Sequence, residues 1–286
     1  MNEFEIKNLK LKANQIRAEI IEMITSANSG HPAGALGITD FFTVLYSIIL
    51  KHNPKNPKDK NRDYVIISNG HIAPVLYSTL ANENYFSKSK LKTFRLLNSK
   101  LQGHPHQNSL PGIENTSGPL GQGISQAVGL AVSLKRDQKT NKVFCFTGDG
   151  ELQEGQCWEA FIFAAKENLN NLIIIVDRNN IQIDGKSDRI IKLNSFSKKF
   201  SSFGFLVIEI EGNDIKQIEI ALKKSIDKKT NKENKPIVII AKTIAGKGIS
   251  FMENNYIWHG KVPNKKEKEL ALLELEKEKE KIMWDN

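Results

Sequence analysis

A chain of 286 residues, 40% of them hydrophobic, holds enough apolar material for one large α/β domain or two small ones. The net charge of +9 comes from lysines scattered among Asn, Ile and Glu, with no arginine-rich or aromatic-interleaved segment, which argues against a nucleic-acid partner. No run of eighteen apolar residues is present, which excludes a membrane-spanning helix, and the opening stretch MNEFEIKNLKLKANQ lacks the apolar core of a secretory signal.

In chain order, Ile6, Leu9, Ala13, Ile16, Ile20 and Ile24 recur at helical spacing and predict a helix over 4–27. SANSGHPAGALG (26–37) breaks it, and a second apolar helix is expected over 38–51. A polar loop, HNPKNPKDKNRD, leads to a short strand YVIIS (64–68) followed directly by NGHIAP. Residues 88–98 are expected to be helical. The segment 99–123 is rich in Gly, Pro, Ser and Asn, and a loop of that length inside a compact domain is usually functional. The small-residue helix ISQAVGLAVSLKRD follows, then the strand KVFCFT (142–147) and a helix to about 169. NLIIIVD (171–177), FLVIEI (205–210) and PIVIIAKT (236–243) complete the strands. Continuous apolar strands alternating with helices predict an α/β fold, a parallel sheet covered by helices on both faces. The composition changes near 264. We therefore expect one domain over 1–263 and a charged, solvated amphipathic helical tail over 264–286. The two cysteines, Cys145 and Cys157, lack CxxC spacing and read as buried thiols of a reducing compartment, so a cytoplasmic location is expected.

Ligands of open parallel sheets bind beyond the carboxyl ends of the strands. GDG (148–150) stands at one such end, and VDRNNIQIDG (176–185) stands at the end of the next strand in sequence. Asp149 and Asn179 are thirty residues apart, which suits one strand–helix–strand crossover. A carboxylate, an amide oxygen and a backbone carbonyl form a hard oxygen set suited to Mg²⁺, with phosphate oxygens completing the shell. The glycines allow backbone N–H groups to approach a diphosphate. Of the remaining acids in FTGDGELQEGQCWE, Glu151 reads as an ordinary first-turn helix acid favoured by the macrodipole. Four of the six histidines, His31, His71, His104 and His259, stand in Gly- or Pro-containing turns near element ends. His52, in a Lys/Asn/Pro loop, is expected to be solvated.

GDG followed about thirty residues later by Asn is the pattern of the thiamine diphosphate-binding motif. With SGHP, GHP…PGIE…SGPLGQGIS, GDGELQEGQCWE, DRNNIQIDG and KTIAGKG in order, the chain resembles transketolase over roughly 10–263. The resemblance is to the N-terminal, diphosphate-binding half, and GKGISFMENNYIWHGKVPN looks like the form whose two halves are separate polypeptides. It implies that Asp149, Asn179 and the carbonyl of Ile181 hold Mg²⁺. It implies that His71, Gly150 and His259 contact the diphosphate and that Gly118 and Leu120 line the cofactor channel. His31 and His104 would face the thiazolium carbon and the sugar hydroxyls. Glu154 and Glu159 would lie near a subunit contact, supporting the cofactor site. His106 stands where the family usually has an acid, and Ala33 replaces a common glycine.

The carboxylate that the family places beside the aminopyrimidine ring belongs to a second, pyrimidine-binding domain, as do most residues that grip the substrate phosphate. The resemblance thus implies a chain active only with a C-terminal partner subunit, in a homodimerising, two-plus-two assembly that transfers a two-carbon ketol unit between sugar phosphates. The alpha subunits of 2-oxo acid dehydrogenases share GDG…N but not this histidine set. A transketolase-like enzyme on other sugars fits the same motifs. A non-catalytic remnant conflicts with the intact Asp149, Asn179 and four histidines.

Overall fold

Five runs rich in Ile, Val and Phe become five strands in the computed structural model, which describes residues 1–227 and 229–284. They are β1 (Tyr64–Ile67), β2 (Val143–Gly148), β3 (Leu172–Arg178), β4 (Leu206–Glu211) and β5 (Ile237–Lys242). All neighbours pair in parallel, in the order β1-β2-β3-β5-β4. Each of the five sequence-predicted strands is present. Side chains alternate across the sheet: Phe144, Phe146, Ile173, Ile175, Ile237 and Ile239 enter one core, and Cys145, Leu172, Ile174, Val176, Val238 and Ile240 the other. Two buried faces explain why the strands read as unbroken apolar runs. Burying each Val, Ile or Phe contributes about 1.5–3 kcal/mol, so the central strands form a rigid platform for the loops at their ends.

The helices divide between the faces. On the first lie α1 (Glu3–Ala27), α2 (Pro32–Gly37), α3 (Thr39–Val44) and α4 (Ala73–Asn82). On the second lie α5 (Gln122–Arg136) and α6 (Gly155–Lys166). The short α7 (Ser187–Ile190) follows β3, and α8 (Phe196–Ser202) packs on the second face through Phe196 and Phe200. The strand order reverses once, between β4 and β5. A right-handed crossover running backwards must place its helix on the opposite side, and α9 (Ile215–Ile226) does lie on the first face.

The 4–27 helix begins in a capping box between Asn2 and Glu5 and ends at Asn28 in the left-handed conformation (φ 46°). One expectation is corrected and two are refined. The expected helix over 88–98 is a 3₁₀ helix over Lys88–Thr93 followed by turns, with Arg95 and Asn98 at positive φ. The breaker segment 26–37 turns helical again at Pro32, because proline suits a first helical position. The helix expected over 38–51 is α3 continued by a π-helical turn, Leu45–Ile49. The charged C-terminal helix, α10 (Lys265–Trp284), packs on α1 with Ala271, Leu275 and Ile282 buried, and Asn14 donates to the Leu275 carbonyl at 2.8 Å.

Candidate active site

β2 and β3 are neighbours, with Gly148 paired to Asp177, so the two loops that leave them share one strand-end edge. Asp149 is buried there. Its Oδ1 accepts from the Gly150 N–H at 2.9 Å and the Ser187 hydroxyl at 3.3 Å, and its Oδ2 accepts from the Asn180 N–H at 2.9 Å. Arg178 Nη1 stands 3.9 Å away. Burial pushes the Asp149 carboxyl up to about 6, against the opposing pull of Arg178 and the hydrogen bonds. The Asn179 Oδ1 accepts from the Ile181 N–H at 3.1 Å, while its Nδ2 donates to Asp177 at 2.8 Å. The structure therefore brings Asp149 and the 179–181 turn together. The donor set (carboxylate, amide and peptide oxygens, with no sulfur or imidazole) fits a hard divalent cation.

Four histidines from four separate segments form one cluster. His31 precedes α2, His71 follows β1, His104 lies in the 99–123 loop and His259 ends the 3₁₀ turn Tyr256–His259. Ring centroids lie 5.5 Å apart for His31–His71, 6.4 Å for His31–His104, 5.6 Å for His31–His259 and 5.0 Å for His71–His259. All four are partly exposed. The Nδ1 atoms of His31 and His259 have no protein partner. The approach is tight: a Cβ at Gly70 would lie 2.5 Å from the Ser117 hydroxyl and 3.1 Å from His104 Cδ2, so only glycine fits. The cluster borders the Asp149 loop, since a Cβ at Gly148 would touch the Asn69 side chain at 3.9 Å.

Burial dominates the electrostatics of the cluster. It lowers His31 to about 4, aided by His259, Arg95 and His104, and lowers His71 well below 6.5. His104 and His259 move the same way. All four imidazoles are thus neutral at pH 7, able to accept or donate a proton. The unfolded chain takes up these protons near 6.5, but folded His31 does so only near 4. For His31 the unfolded state binds more protons throughout that window, so its contribution to stability falls as pH drops from about 6.5 towards 4. Buried carboxyls oppose this in total stability, because burial raises Asp149 to about 6 and Glu114 to about 7. The cluster is therefore read directly: imidazole signals followed by NMR are expected to show His31 still neutral at about pH 5. A His31 ring that titrates near 6.5 would contradict the buried neutral cluster.

The other expected site residues distribute as follows. Gly150 adjoins Asp149, and a Cβ there would press within 3.1 Å of Gln182 Oε1. Gly118 packs beside the His104 ring and Leu120 is exposed just before α5. Glu154 and Glu159 are exposed at the start and on the outer side of α6. His106 is exposed, 3.4 Å from the Thr116 hydroxyl. His52 is a correction: it is half-buried, bonded to the Tyr85 hydroxyl at 3.0 Å and the Tyr46 carbonyl at 2.9 Å, and stacked on Tyr85. Glu151 does open a helical turn, the 3₁₀ turn Glu151–Gln153, as expected, but its role is not that of an ordinary helix-start acid: it is 3% exposed and accepts four hydrogen bonds. Arg95 was not singled out by the sequence, yet its guanidinium donates to Ser29 at 2.6 Å and adds to the lowering of His31 and His104. Among the described residues no helix is long and apolar enough to cross a membrane, and both cysteines are free and buried.

Comparison with known proteins agrees with this geometry. A family model described as transketolase, thiamine diphosphate binding domain, matches residues 9–283. An apulose-4-phosphate transketolase subunit of Actinobacillus succinogenes is 40% identical, over 97% of this chain and 100% of its own length. A 6-deoxy-6-sulfo-D-fructose transketolase subunit of Clostridium sp. is 36% identical, over 97% of this chain and 99% of its own length. The crystal structure of transketolase from Campylobacter jejuni superposes with a TM-score of 0.84 at 35% identity, covering 99% of this chain but 48% of that one. This chain therefore belongs to the transketolase family and corresponds to its thiamine diphosphate binding domain.

Proposed function

We propose that this chain is the N-terminal subunit of a split transketolase, and that 1–263 forms its diphosphate-binding domain. With a C-terminal partner subunit carrying the pyrimidine-binding domain, it transfers a two-carbon ketol unit from a ketose phosphate to an aldose phosphate. The observation that carries this reading is the cluster of four neutral histidines beside the Asp149 loop. Such a cluster suits a polyhydroxylated substrate, which needs hydrogen bonds and proton transfer rather than charge. Relatives whose names describe them as one subunit of a transketolase, matched along nearly their whole length, support the split arrangement.

Asp149, Asn179 and the Ile181 carbonyl are the residues that would hold Mg²⁺, and His71, Gly150 and His259 would contact the diphosphate. Gly118 and Leu120 would line the channel. Bound thiamine diphosphate supplies the electron sink for the two-carbon unit. His31 and His104 would hold or move protons at the sugar hydroxyls. Glu154, exposed at the start of α6, and Glu159, exposed on α6, would meet a neighbouring subunit, and a two-plus-two heterotetramer in the cytoplasm is the assembly we favour. The relatives' names point to keto sugars with an anionic end, an apulose phosphate and a sulfofructose, so a ketose other than a common pentose phosphate is within this reading.

The test is an assay of the purified chain with Mg²⁺, thiamine diphosphate and sugar phosphates, alone and with the partner. Alone it is expected to show no ketol transfer, and activity should appear on adding the partner. Full transfer by this chain unaided would sink the proposal.

A further inference from the structure

Asp177 is not among the expected ligands, yet it lies directly beneath them. It is 1% exposed, next to last in β3, and flanked by Gly148 of β2 and Ala241 of β5. Its carboxylate accepts from the Thr243 hydroxyl just beyond β5 and from Asn179 Nδ2 at 2.8 Å. With Oδ1 taken by the Thr243 hydroxyl, Oδ2 is left as the acceptor, and it meets the carboxamide through the amide nitrogen. Asn179 is therefore held with its oxygen turned the other way, where that oxygen takes the Ile181 N–H at 3.1 Å. An amide oxygen has two lone pairs, and one remains. Turned over, Asn179 would set oxygen against carboxylate and NH₂ against the Ile181 N–H, two repulsive contacts in place of two bonds.

We propose that Asp177 is a positioning residue that, anchored by Thr243, fixes the carboxamide of Asn179 with its oxygen presented to the divalent cation. The inference rests on the Mg²⁺ reading of Asp149 and Asn179. Partners of this outer kind typically change metal affinity by about 10–100-fold when removed.

The experiment measures Mg²⁺ affinity by calorimetry, on the chain assembled with its partner at saturating thiamine diphosphate. In Asp177→Asn the new amide can turn its oxygen to Asn179 while Thr243 swings to accept, so a loss of about threefold to tenfold is expected, below the usual range. In Asp177→Leu, close in size and without an acceptor, nothing holds the Asn179 NH₂ and the carboxamide is free to turn. The expected loss is about 10–100-fold, restored by excess Mg²⁺, with the metal-free melting temperature close to that of Asp177→Asn. Thr243→Val alone should lose less than either. Unchanged Mg²⁺ affinity in Asp177→Leu overturns the proposal. If Asp177→Leu does not fold, unchanged affinity in Asp177→Asn overturns it instead. Asp149→Ala, measured alongside, separates the two ideas. If Asp149→Ala binds the metal normally, the metal reading itself fails. If Asp149→Ala abolishes binding while the Asp177 variants bind normally, only the role of Asp177 fails.

Discussion

Asp149→Ala is expected to abolish Mg²⁺-dependent cofactor binding while leaving the fold largely intact. Asp149 is the one carboxylate in the proposed ligand set, and the neutral oxygens of Asn179 and Ile181 cannot balance a divalent charge without it. Loss of an outer partner already costs about 10–100-fold, so loss of the charged ligand itself should exceed about 100-fold. The effect on the fold is smaller because two contributions oppose. Three donors, the Gly150 and Asn180 N–H groups and the Ser187 hydroxyl, lose their acceptor. At the same time a buried carboxyl disappears, one that burial already pushes up to about 6, and Arg178 Nη2 keeps its contacts with both Asp188 oxygens. The net is about 1–3 kcal/mol of destabilisation, within the tolerance of a platform built on three buried central strands. Calorimetry with the partner present measures the affinity, and thermal unfolding without metal checks the fold. Unchanged cofactor affinity would refute the metal assignment.

The strands were legible because burial on both faces leaves a one-dimensional signature. A run such as LIIIV at 172–176 has no polar face to turn to solvent, so it reads as an element buried on both sides. Asp149 and Asn179 were legible because strand-end loops in a parallel sheet are where ligands sit, and the thirty-residue interval is one crossover long. The four histidines were legible from their Gly and Pro neighbours, but their convergence was not. Only the three-dimensional path of the 99–123 loop and the 256–259 turn brings His104 and His259 to His31 and His71. His52 misled because its Lys/Asn/Pro surroundings signal exposure, while its partners, Tyr46 and Tyr85, lie six and thirty-three residues away. Residues 88–98 misled because nothing local reveals that Arg95 and Asn98 take positive φ, which no continuing helix allows. An acid just after GDG looks like an ordinary helix-start acid, and nothing local betrays that Glu151 turns inward.

Glu151 therefore carries a large expected effect that sequence reading would not assign. Its Oε1 accepts from the Ser68 hydroxyl at 2.6 Å and the Gly121 N–H at 2.7 Å. Its Oε2 accepts from the Thr147 hydroxyl at 2.7 Å and the Gly148 N–H at 3.1 Å. Ser68 in turn accepts from the Ile124 N–H at 3.2 Å, and the close approach leaves a Cβ at Gly123 only 2.5 Å from Ser68 Cα. One buried carboxylate thus ties the ends of β1 and β2 to the N-terminus of α5, just after Gly118 and Leu120. In Glu151→Gln one acceptor becomes an NH₂ donor facing a hydroxyl and a backbone N–H. Whichever way the amide turns, a buried N–H loses its acceptor, at about 1–3 kcal/mol. Glu151→Ala strands all four donors at once, so a loss at or above the upper end of that range, about 3 kcal/mol or more, is expected. A solvated first-turn acid would instead contribute about 0.3–1 kcal/mol through the helix dipole. Urea unfolding separates these ranges. Because the 118–120 segment is held through this knot, cofactor affinity in Glu151→Gln should also fall, although Glu151 has no proposed contact with the cofactor. A destabilisation below about 0.5 kcal/mol, the level of an ordinary surface substitution, would return Glu151 to the role its sequence context suggests.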